Sequence, residues 1–226
     1  MLVKIGLGLL WLGFVVYAFL FAPPDSPDTL DLIKRLSVGD IGGINPLIVA
    51  LFNLMGVWPL AYSCLLFADG RGQKIRAFPF VIGSFALGAF ALLPYLALRE
   101  PNPTFVGKKD KAISAFDSRL LGVLLTIAAV GLVAFGLSQG NWTDFVQQWK
   151  TSRFIHVMSL DFCLLCVLFP TLLGDDLARR NFKKAWVFWL VCLVPLFGPL
   201  LYLCLRPSLE ETTSQEEAKR SPVATS

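Results

Sequence analysis

Charge is scarce in this chain. Only 16% of its 226 residues are Asp, Glu, Lys or Arg, against roughly 25% in ordinary soluble domains, and that argues against a solvated globular surface. Histidine occurs once. No second Cys or His pair stands at ligand spacing beside Cys163 and Cys166, so no metal site is expected. All five cysteines (Cys64, Cys163, Cys166, Cys192 and Cys204) fall inside apolar stretches, where they pack as small residues and provide no disulfide framework. Nucleotide-binding and nucleophile motifs are missing as well. The twenty Lys plus Arg exceed the sixteen acids, giving a formal +4. They are spread between the apolar blocks, which is the distribution of loop charge and not a nucleic-acid footprint.

What the chain has instead is apolar length: 55% of its residues are hydrophobic and the mean hydropathy is +0.65. A helix needs about twenty mostly apolar residues to cross a bilayer while satisfying its own backbone. Six stretches meet that length, at about 2–22, 46–68, 78–98, 120–137, 154–173 and 186–205. The fold class expected is therefore all-α, an integral membrane bundle of about six transmembrane helices in one domain over 1–206, followed by a disordered polar tail over 207–226. The first stretch reads as an uncleaved anchor, since it ends in Ala22-Pro23-Pro24.

The first connection carries its own helix signal. Ser26-Pro27-Asp28 caps it, Leu30, Ile33 and Leu36 follow at helical spacing, and Gly39 stops it, which predicts a short surface helix. Orientation is weakly specified: with six spans, one set of loops holds eleven Lys plus Arg and the other set, with the termini, holds nine. The polar tail favours both termini on the cytoplasmic or stromal side.

An internal repeat organises these stretches. At a shift of 107 residues Asp69 falls on Asp176, Phe90 on Phe197, Leu93 on Leu200, and Tyr95-Leu96-Ala97-Leu98-Arg99 on Tyr202-Leu203-Cys204-Leu205-Arg206. Matched leucines carry little weight. An Asp at a turn and a Tyr four before a closing Arg carry more. Three spans per unit predict inverted halves, an arrangement that places transporter sites at the midplane between helices interrupted by Gly or Pro.

Among the polar side chains, Asp161 stands out. It lies about eight residues into the fifth stretch, roughly 12 Å along a helix, where a carboxyl needs a partner or a cavity. His156, the lone histidine, is five residues earlier and about 140° around the helix. The pair is the candidate catalytic set, Asp161 as base and His156 as acid or orienting donor. The plainer expectation is that Asp161 ties helices together through Asn53 or backbone groups, with His156 at the interface. Candidate ligand contacts are Asn53, Asp69, Asp175, Asp176 and Arg179; for Asp175 and Asp176 ordinary charge pairs with Arg179 and Arg180, four residues on, are the alternative. Gly83, Ser84 and Gly88 in the third stretch, and Gly122 and Gly131 in the fourth, form small-residue faces for helix packing or for a groove holding a pigment or lipid.

From Phe154-Ile155-His156 to Asp161-Phe162, through Gly174-Asp175-Asp176-Leu177-Ala178-Arg179-Arg180 to Pro195-Leu196-Phe197-Gly198-Pro199, with residues 45–99 adding to it, the chain resembles polytopic membrane proteins of cyanobacteria and chloroplasts. More distantly it resembles the plastid neoxanthin-synthase-type family, in an aromatic-Ile-His, four residues, then Asp near the start of a late helix. The resemblance implies a thylakoid or plasma-membrane setting and, at His156 and Asp161, contact with a carotenoid. The Arg that this family shows after its Asp is replaced here by Cys163-Leu164-Leu165. Three readings result: a non-catalytic protein acting through an apolar cofactor (carotenoid, quinone or lipid) or a photosynthetic membrane complex, an isomerase-like enzyme on a lipophilic substrate, and a small transporter with inverted repeats.

Overall fold

The computed structural model describes residues 1–211, and every structural statement below concerns these. They are all helical apart from turns and connections. Helix α1 (Leu2–Val16) runs on through a π-helical turn (Tyr17–Phe21), and α2 (Thr29–Val38) is the expected surface helix, stopped at Gly39 with φ of 79°. Helix α3 (Pro46–Asp69) starts at Asn45, whose side chain accepts from the Leu47 N–H, with Pro46 at the first position. Then come α4 (Ala77–Leu87), α5 (Ala89–Leu98), the short α6 (Lys111–Phe116), α7 (Arg119–Gln139) and the amphipathic α8 (Trp142–Thr151). The described chain closes with α9 (Arg153–Leu168), its continuation α10 (Pro170–Arg179), α11 (Ala185–Leu193) and α12 (Phe197–Leu205).

Four of these stretches are long and apolar enough to cross a membrane: Leu2–Phe21, Pro46–Asp69, Arg119–Gln139 and Arg153–Arg179. The other two of the expected six are not among these. Stretch 78–98 is broken at Gly88, whose φ of 50° and ψ of −126° lie outside helical space, and the chain folds back there. A Cβ at Gly83 on α4 would stand 3.2 Å from the Ala91 Cβ on α5, so the two arms pack antiparallel. Their outer ends meet: Gln73 Nε2 donates to the Glu100 carbonyl at 2.6 Å, and the Glu100 N–H returns to Gln73 Oε1 at 2.8 Å. Stretch 186–205 behaves in the same way around Leu196, with φ of 61°, and Gly198 there lies against the backbone of Leu190 and Val191. Each arm of about ten residues rises roughly 15 Å, half of a hydrocarbon core of about 30 Å. Both stretches fold back as helical hairpins, each arm shorter than a crossing helix, and the expected count of six crossing helices is not confirmed.

The inverted halves are not confirmed either: with two long helices and one hairpin in each half, both halves begin and end at the same end of the bundle. Asp69 and Asp176, expected on opposite sides, share one cation: Arg179 Nη1 lies 3.1 Å from Asp69 Oδ1, and Arg179 Nη2 lies 3.5 Å from Asp176 Oδ1. At the 107-residue shift α3 corresponds to α9 with α10, and α4–α5 to α11–α12. Packing follows the same rule. α1 packs on α5 as α7 packs on α12, and α2 and α8 each precede the long helix of their half on the opposite surface. We call the side from which both hairpins enter the hairpin face, and the side carrying α2 and α8 the surface-helix face.

Of the tail expected over 207–226, residues 212–226 lie outside the described residues. Its first part is tied down on the hairpin face: Ser208 Oγ and the Leu209 N–H both donate to Asp117 Oδ2, at 3.0 and 2.9 Å, and Leu209 is buried.

Candidate functional site

Two polar assemblies occupy different depths of the bundle. The first closes the hairpin face. Asp69 accepts from Tyr95 Oη at 2.7 Å and from Arg99 Nε at 2.8 Å, and one half later Asp176 accepts from Tyr202 Oη at 2.5 Å and from Arg180 Nε at 2.9 Å. Arg206, the counterpart of Arg99, turns its guanidinium to the carbonyls of Cys64 and Phe116, at 2.9 and 2.7 Å. Asp175 pairs with Arg99 and accepts from the Asn102 N–H at 3.0 Å. Both Asp69 and Asp176 have no exposed surface.

Carboxylates and guanidiniums buried this deeply hold together by mutual pairing, since each alone would carry a heavy desolvation cost. The network therefore ties the ends of α3, α5, α10 and α12 to one another. Asp69, Asp175, Asp176 and Arg179, predicted as ligand contacts, meet protein partners in it. Its outer member is Asp117, beside the membrane-spanning part. Burial pushes its carboxyl up, but the Arg180 guanidinium, the Leu209 N–H and the Lys109 ammonium together hold it below the usual carboxylate range.

The second assembly lies at mid-depth. Where the first hairpin turns, the N–H groups opening α5 have no helical partner, a costly state inside a bilayer. Asp161 of α9 answers one of them: its Oδ1 accepts from the Ala89 N–H at 2.7 Å. The contact is so close that a Cβ at Gly88 would lie 1.9 Å from Asp161 Oδ2, so only glycine fits at the tip. Of the two ties expected for Asp161, through Asn53 or through backbone groups, the backbone one is made. Asn53 is exposed and donates to the Val49 carbonyl of its own helix at 2.8 Å.

Asp161 also lines a cavity of about 400 Å³ between the π-helical turn, α3, the hairpin tip and α9. Its walls are largely apolar, with Phe19, Phe52, Met55, Phe85, Phe90, Val157 and Met158. Asp25, Thr29 and Arg153 stand at the end toward the surface-helix face. Gly56 leaves room on the α3 side, since a Cβ there would meet nothing within 4 Å.

His156 takes no part in the cavity wall. Its Nδ1 donates to the Trp149 carbonyl at 3.0 Å, and in the neutral ring its Nε2 accepts from Tyr17 Oη at 2.8 Å, with the Trp149 ring 4.2 Å from its own. Both ring nitrogens are thus occupied in joining α1, α8 and α9. The candidate catalytic pair is not brought together, as the 140° offset along α9 already implied. Sequence reasoning missed Gly56, which makes the space, and it placed Gly88 on a small-residue packing or groove face without seeing that Gly88 and Ala89 form a hairpin tip. A glycine near the centre of an apolar stretch of twenty residues, with a carboxyl in another stretch, was the available signal.

Compared with known protein families, curated proteins and solved structures, the chain shows no match, so the site's geometry carries the reading that follows.

Proposed function

We propose that this is a non-catalytic multi-pass membrane protein that holds a lipophilic molecule in the cavity ending at Asp161. The observation that carries the reading is the combination at that cavity's deep end: a carboxyl fixed by the hairpin tip through Oδ1, with Oδ2 at the glycine and no ion-pair partner among the described residues. An intramembrane carboxyl faces a cavity or a partner because hydrocarbon offers it neither. Apolar walls with a few convergent polar groups are what small-molecule sites present, and about 400 Å³ accommodates a drug-sized molecule or one end of a longer one. A hydroxylated carotenoid, a quinone or a lipid chain bearing a hydrogen-bonding group fits that description. The resemblance to cyanobacterial and chloroplast proteins makes the thylakoid or plasma membrane the place to look for it. Binding is favoured over conversion because His156 is committed elsewhere, leaving Asp161 without an acid–base partner.

The test is native mass analysis of the full-length chain purified in mild detergent, with extraction of whatever travels with it. The wild type carries a stoichiometric lipophile, Gly56→Leu, which fills the cavity from a side with room for it, loses most of it, and Asp161→Asn retains less than the wild type. An empty wild-type protein, or full retention in Gly56→Leu, would falsify the proposal.

A further inference from the structure

Re-entrant hairpins change the charge count across the membrane. Of the twenty Lys and Arg, only Lys34, Arg35, Lys150 and Arg153 belong to the surface-helix face. Lys219 and Arg220 lie outside the described residues. All the rest sit on the hairpin face: Lys4 at the start of α1, Arg71, Lys74 and Arg76 before the first hairpin, the basic residues from Arg99 to Arg119, the Arg179 to Lys184 connection, and Arg206. Each basic connection that six spans would divide between two sides falls on one side when two of those spans turn back.

Lys and Arg in short loops are retained on the cytoplasmic side, while Asp and Glu count for little. We infer that the hairpin face is cytoplasmic, or stromal in a plastid, and that the cavity therefore opens toward the opposite, extracytoplasmic leaflet, from which it takes its ligand. The second half of this inference rests on the proposed ligand site; the orientation does not. The cavity's polar end, with Asp25, Thr29 and Arg153, is level with α2 and α8, and Asp161 is deeper. A molecule entering there keeps a polar head among those three residues while its apolar body descends toward the hairpin tip. An acyl chain or a prenyl chain of that leaflet has the required form. At the hairpin face the buried ion network of Asp69, Asp176, Arg99 and Arg179 ties the helix ends together, and none of these residues lines the cavity.

The experiment uses the full-length chain in intact cells and in inside-out vesicles, with single cysteines read by a membrane-impermeant maleimide against the unmodified chain. Asp40→Cys, on the surface-helix face, is labelled at least tenfold more in cells than in inside-out vesicles, and Lys111→Cys, on the hairpin face, shows the reverse. A diazirine-bearing lysophosphatidylcholine added to the outer leaflet then cross-links to residues 84–90 or 153–161 at least fivefold more than when it is added to inside-out vesicles, and Gly56→Leu removes that yield. Opposite labelling overturns the orientation, and labelling of both positions from one side overturns it too. Correct labelling with equal or absent cross-linking from the two leaflets overturns the route of entry. A co-purifying ligand found despite that result leaves the binding site standing on its own test.

Discussion

The two halves of this molecule are built alike and finished differently. In the second half α7 lies tightly along α3: a Cβ at Gly136 would stand 2.8 Å from the Ala50 Cβ, and one at Gly140 would stand 2.5 Å from Leu47 Cγ. In the first half the corresponding pair, α1 and α9, is not packed in this way. There the first residue of the π-helical turn that continues α1, Tyr17, reaches His156 of α9. A π-turn inserts an extra residue into the helix and is frequent at functional sites. The seam it leaves open holds the cavity of about 400 Å³, whereas the equivalent seam holds an apolar recess of about 270 Å³ lined by Leu47, Leu51, Leu54 and Phe162.

The 107-residue shift makes the contrast chemical, since Leu54 is the counterpart of Asp161 and Met55 that of Phe162. The two halves present equivalent seams. One is lined by small residues and leucine around the smaller recess; the other has a carboxyl and more room beside it. A repeat thus fixes the scaffold, and the departures from the repeat mark the site.

The largest effects should come from the hairpin glycines, and they should differ in kind. Gly198→Ala places a Cβ 2.4 Å from the Leu190 carbonyl oxygen, and a backbone atom in a packed arm has nowhere to go, so folded protein should be lost. Gly88→Ala meets the Asp161 carboxylate and a positive φ, at a cost of about 3 kcal/mol or more. Because the obstacle is a side chain, adding Asp161→Ala should restore part of the loss in thermal unfolding in detergent. Equal losses with no rescue would erase the distinction drawn between the two tips.

Exchanging the carboxyl between seams tests the next level. Leu54→Asp puts an unpartnered carboxyl in the closed seam and should destabilise by about 2.5–3.5 kcal/mol. Asp161→Leu removes one hydrogen bond and leaves the Ala89 N–H unanswered, about 1–3 kcal/mol. Comparable losses at the two positions would mean that the open seam is no better suited to a carboxyl than the closed one.

The smallest effect belongs to Asp117 at the edge of the ion network. Its folded-state pKa lies below the ordinary carboxylate value, so the stability it contributes is fully present above that value and is lost as pH falls through the folded one. Thermal stability should therefore decline more steeply below the carboxylate range in the wild type than in Asp117→Asn. Parallel profiles would remove Asp117 from the stabilising network.

The helical class, the long apolar helices, the surface helix after the first crossing and the repeat itself were all legible in the sequence, because hydropathy and punctuation are local signals. The hairpins were not. Twenty apolar residues interrupted by one glycine read the same whether the chain crosses or turns back, and the choice is made by partners distant in sequence, such as Asp161 at the tip and Gln73 against Glu100 at the ends. The same holds for the site. Asp161 was conspicuous as a carboxyl out of place, and backbone groups were among its expected partners, but no residue pattern advertises that the partner is the Ala89 N–H. His156 was conspicuous for being alone, and it proves to be held by Tyr17 and Trp149.

A hairpin face shared by all the basic connections requires residues 78–98 to turn back instead of crossing. The direct test is a cysteine pair, Gln73→Cys with Glu100→Cys, in the full-length chain in native membranes, treated with a short bifunctional thiol reagent and compared with each single variant. The hydrogen bonds between these two residues predict rapid intramolecular cross-linking in the pair alone. A crossing helix would hold the two positions about 30 Å apart on opposite sides, and the absence of any cross-link, with the two cysteines reactive from different faces, would contradict the account.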